Sequence, residues 1–532
     1  MRAFKVEVSL LSVLILVGLS GTLLGLAAEQ PRYGGVLRVA LAGDPPSLDM
    51  HQEQTFMVTI PLSPCYNTLV QFDPHDYPKI IGDLAESWTA SDDHLTYTFT
   101  LHQGVKFHDG GELTAADVKA SWDKIVFPPE GVASPRKSYY EAIKSIDAPD
   151  RVTVVFHLNY PSASFLTMLA HPANFIYAKK YLDQDVNYYK QHVMGTGPFK
   201  LKRYVRGSYL EVERNPDYFR KGLPYLDGSK YFIIQDTSAR ATSIRSGRTD
   251  VEFRSLPPAE VEAIKAQLGD RVVVGHPLPV VQWGVAINLE KKPFDDARVR
   301  KAMTLAIDRY EMAKTIGQLS GLDMVGGLEP PGTPWALGPE ALQELPGFRK
   351  DPEANLREAK RLLAEAGYPN GFKVVLTNRA VKLPYIDFAV FLIDAWKKIG
   401  LEVEHQLQES ATWSKSRLTR DFELLVDPFG SSTVADPDEV MVKFTTSGSN
   451  NWGRFSDPLA DKLFVEQKTA LDPEKRSELV QEMQKVVLQK AWWIPGLWWT
   501  RLEVRSARIR NYEPMPSHWQ NRRLEDVWLA AK

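Results

Sequence analysis

Between Trp283 and Asp308 the chain passes from one repeating pattern of apolar residues to another. Val285, Ile287 and Leu289 alternate with Gly284, Ala286 and Asn288, the two-residue period of a strand with one buried face. The turn KKPFDD follows, and Asp295 or Asp296 is placed to cap a helix and set negative charge against its positive end. That helix would bury Val299, Met303 and Ile307 and show Arg298, Arg300 and Lys301 to water. The unit lies near the middle of the chain, where a second globular half begins. We read it as a crossing from one lobe to another.

The same two periods recur on either side. Val36–Leu41 predicts a short strand that runs into the turn-forming GDPPS. Leu95, Tyr97, Phe99 and Leu101 alternate with Thr and His as a half-buried strand. After the turn at Asp109-Gly110-Gly111, Thr114 and Asp117 have capping-box spacing, and the next helix carries Val118, Trp122 and Ile125 on one face. RVTVVFHL and PSASFLTMLA predict a hairpin strand and a helix. Gly195-Thr196-Gly197-Pro198 turns into the strands FKLKRYV and SYLEVER, and YFIIQD precedes a helix, TSARATSIRSG. Beyond the crossing, DPEANLREAKRLLAEAG is an amphipathic helix ending at Gly367. FKVVLTN is a strand, DFAVFLIDAWKKIG a helix closed by Gly400, and LEVEHQLQE a further strand. PEKRSELVQEMQKVVLQKA is the last helix before WWIPGLWWTRLEV, the expected return crossing. Such alternation predicts sheets covered by helices.

At 532 residues the chain exceeds what one hydrophobic core holds, so two or three domains are expected. Lys plus Arg number 64 against 66 Asp plus Glu, which leaves no global field to attract nucleic acid or an anionic membrane. At the N-terminus, Arg2 and Lys5 precede an apolar run from Val8 to Leu26 and then Ala27-Ala28, the order of a secretory signal peptide. The run approaches membrane-spanning length, so an uncleaved anchor is the rival. Ser9, Ser12, Gly18, Ser20 and Gly21 interrupt it, and residues 1–28 are read as a cleaved signal. No cysteine stands at the cleavage site, so no lipid attachment is expected. The single cysteine, Cys65 in PLSPCYNTLVQF, makes no internal disulfide and is expected as a buried small apolar residue.

Four stretches, in order, carry a resemblance: LAESWTASDDHLTYTFTLHQGVKFHDGGELTAADVKASW, MGTGPFKLKRYVRGSYLEVERNPDYF, VAINLEKKPFDDARVRKAMTLAIDR and the ADPDEV region at Asp436. On these the chain resembles the extracytoplasmic solute-binding proteins of ABC importers, family 5, which includes oligopeptide-, dipeptide- and nickel-binding proteins. The likeness runs from about Gly34 to the C-terminal strands. It implies an α/β, bilobal periplasmic-binding-protein fold of type II, in the large three-subdomain variety, with two mixed-sheet lobes around a ligand cleft. Residues 31–66, 194–282 and 500–532 would form a discontinuous first lobe, 67–193 its extra subdomain, and 283–499 the second lobe. The implied partners are a small-molecule or peptide ligand and a membrane permease, with no nucleic acid, no cofactor and a monomeric, periplasmic protein.

Enzyme signatures are scarce: there is no GxSxG elbow, P-loop, Rossmann fingerprint or HExxH. His102, His108 and Asp109 invite a metal, but their strand-then-turn placement suits exposed strand ends equally. Asp436, Asp438 and Glu439 lack EF-hand spacing and suit a turn and helix start around Pro437. The expected ligand contacts lie in loops. Gly43, Asp44 and Pro45 follow the first strand, where a family ligand touches backbone groups, though a plain tight turn explains them as well. Trp413, Arg420 and Phe429 fall where peptide-binding relatives carry pocket Trp and Arg residues. Arg420 would hold a ligand carboxylate in a bidentate fork, or be a surface charge beside Asp421.

Peptide-binding members hold the ligand's α-amine with an Asp a few residues before the DP dipeptide. Here Ser432 or Thr433 takes that place, with Ser431 beside them, and no hydroxyl supplies the charge a desolvated ammonium requires. Asp427 or Asp436 would have to substitute from a shifted loop. Peptides with a free amine are therefore disfavoured against neutral or differently charged solutes. Trp283 and Trp498 are expected to line the ligand site at the two crossings, with at least one of each pair Trp492/Trp493 and Trp498/Trp499 buried as core. The function expected is capture of a solute between two lobes for delivery to a permease. The alternatives are an exported hydrolase with a carboxylate-based site and a chaperone-like binder of unfolded chains.

Overall fold

A computed structural model of the protein describes residues 29–53, 55–275, 279–428, 436–448, 450–512 and 523–531. Two mixed sheets organise them. In the first, the strands lie side by side in the order Val272–Gly275, Glu503–Ser506, Val251–Glu252, Val36–Leu41, Gly228–Ile233, Tyr209–Arg214 and Phe199–Val205. Its centre is parallel: Val36–Leu41 runs alongside both Gly228–Ile233 and Val251–Glu252. The second sheet is ordered Leu322–Met324, Trp493–Thr500, Pro279–Ile287, Leu424–Val426, Lys373–Arg379 and Glu402–Gln408. Its last three strands are parallel to one another.

The chain passes between these sheets twice. It leaves the first at Gly275 and enters the second at Pro279, and it returns from Thr500 to Glu503. Both crossings were legible in the alternation around Trp283 and in WWIPGLWWTRLEV. A third, antiparallel sheet pairs Ala85–Ala90, Thr96–Leu101, Thr153–Leu158 and Ile143–Asp147. The helix Ala115–Val126 covers it, with Trp122 wholly buried edge-on to Tyr140 and Phe156 at centroid distances of 5.0 and 5.6 Å. Each such ring pair adds about 0.5–1.5 kcal/mol beyond its buried area. This unit touches the second-sheet unit through Ala163 N–H to the Lys468 carbonyl (2.8 Å) and the Ser164 hydroxyl to Asp438 (2.5 Å).

Local chemistry explains the element boundaries. Asp296 caps the helix Ala297–Leu305 by accepting from the Arg298 N–H, and Val299, Met303 and Ile307 are buried as expected. Arg300 departs from expectation. It is buried at 6% exposure, and its guanidinium donates to the carbonyls of Phe294 (2.8 Å), Asp295 (3.1 Å) and Lys490 (3.1 Å). The helix is short, and Arg300 fills the space at its start by serving unpaired carbonyls that no apolar side chain could satisfy. The Asp117 carboxylate accepts from the Thr114 N–H and hydroxyl, both at 2.9 Å. Cys65 is fully buried, and burial alone pushes its thiol pKa up. Gly195 and Gly197 press on its backbone: a Cβ at Gly197 would stand 2.4 Å from both the Cys65 carbonyl carbon and the Tyr66 nitrogen. Among the described residues no helix is long and apolar enough to cross a membrane.

Candidate functional site

Parallel strands present their carboxyl ends together, and open α/β sheets bind ligands beyond that edge. In the first sheet the segments leaving this edge are Gly43–Pro45 after Leu41 and Phe253–Ser255 after Glu252. In the second, Arg379 ends one parallel strand and Asp427 follows the other. Both crossings lie at these edges, so the two sheets face one another across them.

On the first-sheet side, the turn after Glu252 is held from below. Ser255 has a left-handed φ of 84°, its N–H donates to Glu252 (3.0 Å), and its hydroxyl accepts from the Leu502 N–H (3.2 Å). Glu252 is itself buried against Arg240 at 2.8 Å. The turn thereby lays the Arg254 guanidinium over the rings of Phe56 (5.3 Å) and Trp499 (5.2 Å). Arg501 shares both faces, at 5.7 and 5.0 Å, and lies 4.4 Å over Phe253. Cation–π contact suits a guanidinium that has lost water. Burial lowers the Arg254 pKa to about 10, with Arg379 and Arg240 acting in the same sense against Tyr385 and Glu252. No carboxylate among the described residues lies within ion-pair distance of Arg254.

On the second-sheet side, Arg379 donates to the Ser410 hydroxyl (2.7 Å) and more weakly to Tyr385 (3.4 Å). Its guanidinium stands 5.5 Å from the Tyr385 ring and 5.9 Å from that of Trp413. Arg417, on the helix Ser410–Thr419, covers Trp413 at 4.8 Å and Trp452 at 5.2 Å. Trp283 joins the two sides, edge-on to Tyr385 (4.4 Å) and to Trp499 (6.4 Å). Arg379 and Arg417 also lack a carboxylate partner among the described residues. Among the described residues, the buried indole N–H groups of Trp283 and Trp413 and the Nε of Arg417 have no acceptor. Unpartnered buried donors are rare in proteins, and three of those in this structure lie along this seam.

The expected ligand contacts fall into three groups. Trp283 and Trp413 lie on this seam. Phe429, Ser431, Ser432 and Thr433 lie outside the described residues. The others have structural partners. Asp44 accepts from the Tyr204 hydroxyl (2.7 Å) and the Gly207 N–H (2.9 Å), which ties its loop, with the half-buried Gly43 and the buried Pro45, to the neighbouring hairpin. Trp498 is fully buried, and its N–H donates to the Gly327 carbonyl (3.0 Å). Trp499, pointing to the opposite face, carries the arginines instead. All four tryptophans of the return crossing are buried, and Trp499 alone of them stacks with Arg254 and Arg501. Arg420 has a left-handed φ of 60° and is influenced by Arg454 and Glu290. Glu290 follows the far end of its strand, so Arg420 stands away from the crossing, while Arg417, one turn earlier, lies over Trp413.

Neither acid that could replace the missing amine anchor is free. Asp427 is paired with the buried Lys443. Asp436 receives a two-pronged contact from Arg476 at 2.9 and 2.8 Å, with both partners buried. Asp438 begins the helix Asp438–Met441 and accepts from Gln467 and Ser164, both at 2.5 Å. His108 contacts the Gly197 carbonyl (3.1 Å), Asp109 pairs with Lys180, and the His102 ring lies against Phe219, so these three do not converge on one point. Among the described residues no group of three His, Cys, Asp or Glu side chains could hold a metal ion.

Comparison with known proteins agrees with this architecture. The model of the bacterial extracellular solute-binding proteins, family 5 Middle, matches residues 79–452. The chain is 30% identical over 479 residues to heme-binding protein A of Haemophilus influenzae, covering 85% of this chain and 84% of that protein. It is 28% identical over 463 residues to the glutathione-binding protein GsiB of Salmonella typhimurium, covering 82% and 84%. The periplasmic binding protein DppA of Helicobacter pylori, solved with the peptide STSA, superposes with a TM-score of 0.82 at 26% identity, over 94% of this chain and 99% of that one. AgaA of A. tumefacien R10, solved with agropinic acid, gives 0.81 at 25% identity, over 94% and 99%. The chain belongs to the bacterial extracellular solute-binding proteins, family 5, the substrate-binding components of ABC importers.

Proposed function

We propose that the protein captures an organic anion between the two sheets, with Arg379 as its principal carboxylate contact, and releases it unchanged to a permease. Residues 31–66, 194–282 and 500–532 form one lobe, 283–499 the other, and 67–193 an extra subdomain of the first. No covalent step is involved. The ligand's preference for the closed arrangement shifts an open–closed equilibrium.

The observation that carries this reading is the charge of the seam. Arg254, Arg379 and Arg417 have no carboxylate partner among the described residues. Segments 276–278 and 429–435 contain no acidic residue by sequence. Partly buried cations without counter-ions favour an anion, and a ligand carboxylate supplies one through a bidentate, charge-assisted contact. The aromatic faces of Tyr385, Trp413 and Trp499 accept the ligand's apolar part. A free amine would add a cation where cations already crowd and the nearby acids are paired.

Titration calorimetry against glutathione, heme, a tetrapeptide and agropinic acid, the ligands of relatives, tests the class. Arg379→Gln is expected to weaken every ligand that binds by about tenfold to a hundredfold, the worth of a hydrogen bond to a charged group. Unchanged affinity in this variant, or chemical conversion of a bound ligand on prolonged incubation, would refute the reading.

A further inference from the structure

Arg254 and Arg379 stand on opposite sheets, each at the carboxyl edge, and each rests on aromatic rings without an acid of its own among the described residues. Trp283 and Trp499 form the aromatic path between them: Arg254 over Trp499, Trp499 edge-on to Trp283, Trp283 edge-on to Tyr385, and Tyr385 under Arg379. We propose that Arg254 is a second anion post facing Arg379 across the cleft, so that the physiological solute carries two anionic groups and bridges the sheets. This rests on the reading that the solute occupies this seam, and it adds a requirement at the solute's other end.

Two features make the post a built one. The Arg254 turn is anchored rigidly: Glu252 holds the Ser255 N–H, Arg240 neutralises Glu252, and the Ser255 hydroxyl holds the incoming strand at Leu502. The guanidinium is therefore presented rather than trailing in solvent. The second feature is electrostatic. Arg254 and Arg379 repel one another, and Arg501 lies over the same two rings as Arg254, so bringing the sheets together without a ligand concentrates positive charge. Charge of one sign in a low-dielectric cleft opposes closure. A dianion removes the opposition on both sides at once, whereas a monoanion at Arg379 leaves Arg254 bare. The ligand's second charge then serves closure itself, and selectivity for diacids follows from the cost of closing around anything less.

The test uses the mature protein with straight-chain dicarboxylates from succinate to sebacate and the monomethyl ester of each as probes, at fixed ionic strength. The wild-type protein is expected to prefer the best diacid over its half-ester by about tenfold or more, the scale of one charge-assisted contact. Arg254→Gln is expected to erase that preference from both sides, weakening the diacid and strengthening the half-ester, because the bare charge that opposes closure around a monoanion is gone. Arg254→Lys, which keeps the charge but not the fork, restores part of the preference. Thermal unfolding of each variant confirms that it folds. Absence of a diacid preference, binding of no diacid at all, or a preference that survives Arg254→Gln would overturn the second post. Should Arg379→Gln bind every probe as wild type does, the reading of the seam itself fails, which is a separate outcome.

Discussion

Replacing Glu329 by Gln should stabilise the protein at neutral pH. Glu329 is 1% exposed, in the turn that follows Gly326-Gly327, and neither carboxylate oxygen has a hydrogen-bond donor among the described residues. Only its backbone is held, by the Gln484 side-chain oxygen at 3.2 Å. Burial raises its pKa well above 4.5, and Asp436, Glu439 and Asp438 push it further, while Arg476, the opposing charge, is already engaged by Asp436 and Asp438. The folded protein thus keeps a proton on Glu329 that the unfolded chain releases above 4.5. A folded pKa above the unfolded one gives stability that is complete below 4.5 and declines as pH rises towards the buried value. The loss grows by a little over 1 kcal/mol per pH unit, so at pH 7 it is capped at about 3 kcal/mol. Gln carries no such proton. The Glu329→Gln variant should match wild type near pH 4 and gain on it steadily as pH rises, in thermal midpoints recorded across that range. A variant less stable than wild type at pH 7, or a difference that does not change with pH, would show that Glu329 is ionised and paired in the fold.

Removing Arg476 should have the opposite sign. Arg476→Met leaves Asp436 and Asp438 buried without their cation and should cost about 3–5 kcal/mol at neutral pH, partly recovered in acid as those carboxylates take up protons, as denaturant unfolding at two pH values would show. Gly197→Ala forces a Cβ to within 2.4 Å of the Cys65 and Tyr66 backbone. Because both walls are main chain, the expected cost is at least about 1–3 kcal/mol, measured as a lowered thermal midpoint with ligand affinity unchanged.

How much of this was legible depended on how local the cause was. The strands at Val36, Thr96 and Lys373, the Asp296 cap, the Gly367 and Gly400 helix ends and both crossings follow from residues adjacent in sequence. The cation seam does not. Arg254, Arg379 and Arg501 lie far apart along the chain, and only the meeting of strand ends from both sheets brings them to one seam. One signal was available: Arg379 closes the apolar strand FKVVLTN, at the end where ligands gather in parallel sheets. Arg300 misled because a charged residue on the polar side of a helix normally faces water, while here neighbouring carbonyls required a donor. Trp498 and Trp499 were rightly placed on opposite faces, but alternation does not say which face meets the first sheet. Arg420 and Arg417 differ by one helical turn, and the left-handed residue that ends the helix decides between them.

In the function proposed, negative charge rather than an amine holds the solute. The most direct measurement is calorimetric comparison of glutathione with two derivatives, one acetylated on its amine and one amidated on its carboxyl groups. Acetylation is expected to leave affinity within about threefold while amidation reduces it by about tenfold or more. Loss of binding on acetylation, with the amide still bound, would contradict this and return the amine to the centre of recognition.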